Sequence, residues 1–120
     1  MAFPGTYNFS YYRGDTYQFV IRPKNANGTT FSLDDYAGNA DFTIANVRGS
    51  TGTQISATAT VDTGTDIVTC TITGTQGRQL VAGTTYVYDV QITDTTTDPD
   101  VVFTLLTGTI TVTDDITGAV

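Results

Sequence analysis

The feature that most constrains this chain is period-two alternation, which runs through nearly all of its C-terminal half. Tyr86, Tyr88, Val90 and Ile92 alternate with Val87, Asp89, Gln91 and Thr93. Side chains at i and i+2 of a strand share a face, so the run predicts sheet with one buried side. A turn over 95–100 follows. Runs over 101–106 and 109–112 come next, separated by Gly108. Upstream, Ile55, Ala57, Ala59 and Val61 alternate with Ser56, Thr58 and Thr60. After a tight turn at 62–66, Val68, Cys70 and Ile72 alternate with Thr69, Thr71 and Thr73.

The N-terminal half reads the same way with more punctuation. Residues 7–12 predict a strand with Tyr7, Phe9 and Tyr11 on one face. Arg13-Gly14-Asp15 is a turn, and Tyr17, Phe19 and Ile21 form the inward face of a second strand that Pro23 ends by removing a donor. Residues 24–29 have hairpin-turn composition, and 30–33 predict a short edge strand. Residues 33–38 predict one helical turn with Asp34 as N-cap and Gly38 as stop. A central strand is predicted over 42–48, and 74–83 is the longest irregular piece. Seven or more short strands with regularly spaced turns indicate an all-β sandwich or barrel. Phe19, Ile21, Phe42, Ile44, Val68, Ile72, Tyr88, Val90 and Leu105 are the expected core. Tyr86 opens a late strand after an irregular connection, where immunoglobulin-like sandwiches place a corner tyrosine; a plain buried strand tyrosine reads as well.

At 120 residues one domain is expected over 1–120, with short arms at 1–6 and 116–120. The Val, Ile, Tyr, Phe and Thr content suits pleated sheet. Only 14% of residues are charged and the net charge is −7, which disfavours nucleic acid as a partner. One cysteine excludes an internal disulfide, and one cysteine with no histidine nearly excludes zinc. The first residues show neither the basic nor the apolar region of a signal peptide, and no apolar run reaches membrane-spanning length, so no membrane partner is expected.

Several short motifs carry a functional and a plainer reading. Arg13-Gly14-Asp15 is an integrin-type tripeptide, but also an ordinary turn between aromatic strands. Asn8-Phe9-Ser10 and Asn27-Gly28-Thr29 fit the glycosylation pattern, which a chain without a signal peptide has no occasion to use. The acidic clusters at 34–35, 62/66, 98/100 and 114–115 could offer oxygens to calcium, yet none has EF-hand spacing and solvated turn caps explain them. Without histidine no catalytic triad can be assembled, and no activated-nucleophile motif is present, so no enzyme activity and no cofactor are expected. Cys70, between Val68 and Ile72, reads as a buried thiol.

Specific segments carry a family resemblance. They are Arg13-Gly14-Asp15-Thr16-Tyr17, Gly28 with Phe31-Ser32-Leu33 leading to Gly38, and Phe42-Thr43-Ile44. Thr85-Tyr86-Val87-Tyr88-Asp89-Val90-Gln91-Ile92 follows, then Thr104-Leu105-Leu106-Thr107-Gly108-Thr109-Ile110-Thr111-Val112 and the ending Asp114-Asp115-Ile116-Thr117. This order resembles the small immunoglobulin-like modules of tailed-bacteriophage virion proteins. The resemblance implies an immunoglobulin-like antiparallel β-sandwich and a non-enzymatic virion protein assembled in the bacterial cytoplasm. Its partners would be major capsid, neck or tail proteins, or copies of itself. Capsid decoration or cement is the first expectation, with neck, tail or baseplate as the alternative. The contact residues expected are Phe3 and Pro4 of the first arm and Ile116 and Val120 of the last. A carbohydrate-binding or adhesive module is the reading from another class. It would place two or more of Tyr7, Tyr11, Tyr12, Tyr17 and Tyr36 on one exposed face.

Overall fold

The computed structural model describes residues 4–49, 54–114 and 116. Eight strands follow one another: β1 (Gly5–Thr6), β2 (Phe9–Tyr12), β3 (Tyr17–Ile21), β4 (Ala40–Ala45), β5 (Gln54–Asp62), β6 (Ile67–Ile72), β7 (Thr85–Asp94) and β8 (Val101–Thr113). A 3-10 turn, Asp34–Tyr36, and one α-helical turn, α1 (Gly74–Gly77), are the helical pieces described. The chain is all-β, as the alternation predicts.

The strands form one curled sheet in the order β1-β8-β7-β4-β5-β6-β3, with β2 continuing beside β8. The nine-residue β5 makes the corner. Its first part pairs with β4 and its second, Thr58 to Asp62, with β6. The sheet thereby folds over itself into a sandwich-like pair of layers. Phe19 of β3 meets Phe42 of β4 with ring centroids 5.5 Å apart and Tyr88 of β7 at 6.2 Å. Phe42, Ile44, Val68, Ile72, Tyr88, Val90 and Leu105 are buried, while Phe19 and Ile21 are half-buried against that core. Leu33, beside the 3-10 turn, and Leu80, just after α1, are fully buried and belong to the same core cluster.

The structure departs from expectation in direction, register and local detail. The sheet is mixed rather than antiparallel, because β1 and β2 run parallel to β8. This contact joins the two ends of the chain, so no hairpin fixes its direction. The single strand expected over 7–12 is interrupted at Tyr7 and Asn8, and the segment before it already belongs to the sheet. The two C-terminal runs are one strand. A β-bulge opposite Val90 and Gln91 inserts Leu105 as an extra residue, so that Phe103 pairs with Ile92 but Leu106 with Val90. The alternation changes phase there, and the break expected at Gly108 does not occur, since the strand runs on to Thr113.

Gly108 lies inside β8 because the carbonyl oxygen of Tyr7 would be 2.0 Å from any Cβ placed on it. The expected edge strand over 30–33 reduces to a single bridge between Lys24 and Thr30. The central strand stops at Ala45 rather than 48. Asp34 does not cap the 3-10 turn; Leu33 precedes it, and the Leu33 N–H donates to Asp66 Oδ1 at 2.9 Å. The irregular segment after Ile72 contains α1, held by a capping box between Thr73 and Gln76.

Candidate functional site

Several of the residues flagged by the sequence, and Asp94 beside them, hold the local fold. Arg13 Nε donates to the Leu80 carbonyl at 2.8 Å, and its Nη2 to the Arg78 carbonyl at 2.9 Å. The guanidinium is therefore folded onto the segment after α1 rather than presented with Asp15. Tyr11 Oη donates to the Asp15 carbonyl at 2.5 Å and presses on Gly77, where a Cβ would lie 1.8 Å from that oxygen. The β2–β3 turn is thus locked against α1. Asp62 Oδ1 accepts the Gly64 N–H at 2.9 Å, and Asp94 Oδ1 accepts the Thr96 N–H at 2.9 Å. Asn8 Oδ1 accepts the Thr109 N–H at 3.0 Å, and Asn27 Oδ1 the Thr29 N–H at 3.1 Å. Among the described residues no three His, Cys, Asp or Glu side chains converge as a metal site would require. Burial pushes the Cys70 thiol up to about 12, so at neutral pH it is protonated as well as inaccessible.

The arm residues named from the sequence divide. Pro4 is exposed just ahead of β1, and Ile116 is 95% exposed. Phe3 and Val120 lie outside the described residues. Of the five tyrosines, Tyr11 and Tyr36 are buried, Tyr17 is half-buried, and Tyr7 and Tyr12 are exposed. Tyr7 stacks on Phe9 and Tyr12 lies on the side of β2 opposite Tyr11, so the two exposed rings do not share a face.

Two surface features stand out instead. The first is the seam where the free edge of β3 approaches β1 and β2. Phe9 stacks on Tyr17 at 4.6 Å, Tyr7 stacks on Phe9 at 5.3 Å, and the hydroxyls of Tyr7 and Tyr17 share a short hydrogen bond. Burial, reinforced by that bond and by the neighbouring phenol, pushes Tyr17 up to about 12. Beyond the bond the seam opens into an apolar hollow of about 310 Å³ between Tyr7, Phe19, Ile21 and Leu106, with Val20 and Arg22 at its margin. Beside it β3 pairs only with β6 among the described residues. Its sequence, Tyr-Gln-Phe-Val-Ile, contains no charge, no proline and no bulge, the devices that usually protect a sheet edge. The sequence marked β3 as a strand, but its edge position follows from topology that no local pattern encodes.

The second feature is a groove of about 270 Å³ on the outer face of β4 and β7, between Thr43, Val87, Asp89 and Gln91 and walled by Val47 and Arg48. Arg48 Nη2 donates to Thr107 Oγ1 at 2.7 Å, and Thr107 in turn donates to the Tyr88 carbonyl at 3.2 Å. This fixes the guanidinium across β7. Asp89 sits beside it, half-buried. Desolvation raises its carboxyl above the ordinary range, while the Arg48 charge acts in the opposite direction and only partly offsets it. Arg48 and Asp89 were seen in the sequence only as a scattered cation and an outward strand position; the loop and strand that unite them are far apart in the chain.

No family model matches the chain, and no curated protein matches it.

Proposed function

We propose that this protein is a non-enzymatic structural module of a tailed-bacteriophage virion, docking on a repeated assembly as a capsid decoration or cement protein. The family resemblance of its β7 and β8 segments motivates the virion setting. Two features support an immunoglobulin-like reading of the curled sheet: the strand order, and Tyr86, whose hydroxyl ties back to the backbone five residues upstream.

The observation that carries docking is the unprotected β3 edge beside the apolar hollow. An extended segment of a neighbouring virion subunit added to β3 would pair its free backbone groups and cover Phe19, Ile21 and Leu106 in one step. The arms remain secondary contacts. Pro4 leads directly into β1, so the first arm is already partly tied to its own sheet.

The test is co-expression with the structural genes that flank its own, followed by isolation of the assembled particles. The protein should co-purify with them. Val20→Lys places a charge on the edge at a position already 39% exposed. It should leave the thermal melt unchanged and reduce occupancy severalfold. Flanking genes that encode no capsid, neck or tail proteins, or particles that form without the protein bound, would remove this reading.

A further inference from the structure

We propose that the outer groove between β4 and β7 is a binding site for an uncharged, hydroxyl-rich ligand, a carbohydrate in chemical class. This goes beyond the docking role and uses a different face of the molecule.

The groove presents a carboxylate, a guanidinium and an amide around an apolar margin. Among the described residues no side-chain or backbone donor bonds to the Asp89 carboxylate, although Arg48 lies near enough to bias its ionisation. Its oxygens are partly desolvated and open to the groove, so they lack full hydration without a protein donor in exchange. A ligand hydroxyl supplies that donor. Gln91 Nε2 donates to Thr104 Oγ1 at 3.3 Å, which orients the amide and leaves its carbonyl oxygen as a second acceptor. Arg48, held by Thr107, contributes the remaining guanidinium donors to ligand oxygens. Val47 and Val87 offer C–H surface to the apolar face of a sugar ring.

Charge selects the class. One carboxylate beside one guanidinium leaves the groove close to neutral, so a net anion meets Asp89 and a net cation meets Arg48. The chain's overall charge of −7 adds to the exclusion of anions. A polyol, which both donates and accepts, satisfies both groups at once. The volume, about 270 Å³, falls below the roughly 300–1,000 Å³ of sites for drug-sized molecules. It therefore suits one ring rather than a long chain.

The test titrates the isotope-labelled full chain with a panel of free hexoses, deoxyhexoses and N-acetylhexosamines, following backbone amide shifts. At least one sugar should give saturable shifts centred on Thr43, Arg48, Val87 and Asp89. Asp89→Asn should weaken that sugar by about tenfold, the worth of one hydrogen bond to a charged group, with the rest of the spectrum unchanged. Val20→Lys should bind the sugar as the parent does, which separates this site from the docking edge. Failure of every sugar to give saturable shifts overturns the proposal, as does binding centred elsewhere or indifferent to Asp89→Asn. Glycine and acetate form the charged arms of the titration. If either saturates the same amides while no sugar does, the groove selects charge and the carbohydrate assignment is wrong.

Discussion

The hydroxyl of Tyr86 accepts the backbone N–H of Val81 at 2.9 Å. One residue near the start of β7 thereby fixes the path of the connection that leads into it. The same connection carries Leu80, buried in the core, and the Leu80 carbonyl that receives Arg13 Nε. Tyr86 is itself buried, so its ring belongs to the core while its oxygen organises the loop. Burial of the ring with a hydrogen bond at its polar tip satisfies both parts of the side chain at once.

Tyr86→Phe keeps the ring and removes the acceptor. The Val81 side chain is exposed, so water can reach part of that loop, and the loss should be that of one ordinary hydrogen bond, about 1 kcal/mol. A urea titration measures it. A midpoint equal to that of the parent would show that the bond contributes nothing to stability.

Gly108→Ala should cost more, although it adds a single methyl group. The new Cβ would meet the Tyr7 carbonyl oxygen at 2.0 Å, and that oxygen also receives the Tyr88 hydroxyl at 2.6 Å. To accommodate the methyl, the link between β1 and β2 must lift off β8 and break this bond. A loss of about 2–3 kcal/mol is expected from overpacking and the lost hydrogen bond together. Denaturant unfolding gives the magnitude. Loss of protection at the Tyr7 amide, which donates to the Thr107 carbonyl at 3.0 Å, would locate the damage.

Val90→Asp tests the register of the whole sheet. Val90 is fully buried between Phe42 on β4 and Leu106 on β8. A carboxyl there is either desolvated as an anion or protonated at comparable cost. The variant should fail to fold, as read by far-ultraviolet circular dichroism and by recovery in the soluble fraction. A soluble variant with the parent melting temperature would mean that Val90 faces water.

The strands were legible because alternation reports a local property, which side of the backbone is apolar. The Val90 face, the Val68–Cys70–Ile72 face and the turn at 62–66 all follow from it. The bulge at Leu105 was not legible, because the run over 101–106 is apolar except at Thr104 and hides a one-residue change of phase. The parallel pairing of β2 with β8 joins segments about a hundred residues apart, and no short-range pattern specifies such a contact. The α1 turn had a signal, Thr73-x-x-Gln76, that marks a capping box. The groove was invisible for the same reason as the β2–β8 contact. Arg48 and Asp89 are ordinary surface residues until the sheet sets the 45–49 segment beside β7.

Asp89 also makes a prediction about pH. Its carboxyl is raised in the folded state by desolvation, which outweighs the lowering effect of Arg48. The folded protein therefore holds the Asp89 proton more tightly than the unfolded chain does. The resulting stabilisation is fully present below the ordinary aspartate range and is lost as pH rises through the folded-state value. Asp89→Asn removes this dependence. The variant and parent should melt together in acid, and the variant should become the more stable as pH rises into the neutral range. Arg48→Gln should do the reverse, since it removes the charge that favours the ionised form and so deepens the loss at neutral pH. Melting temperatures of the three proteins across the acidic and neutral range decide the matter. Parallel curves for parent and Asp89→Asn would mean that Asp89 is as well solvated folded as unfolded. A divergence in the expected direction would show that the chain keeps, at this one outward strand position, a carboxylate that costs stability.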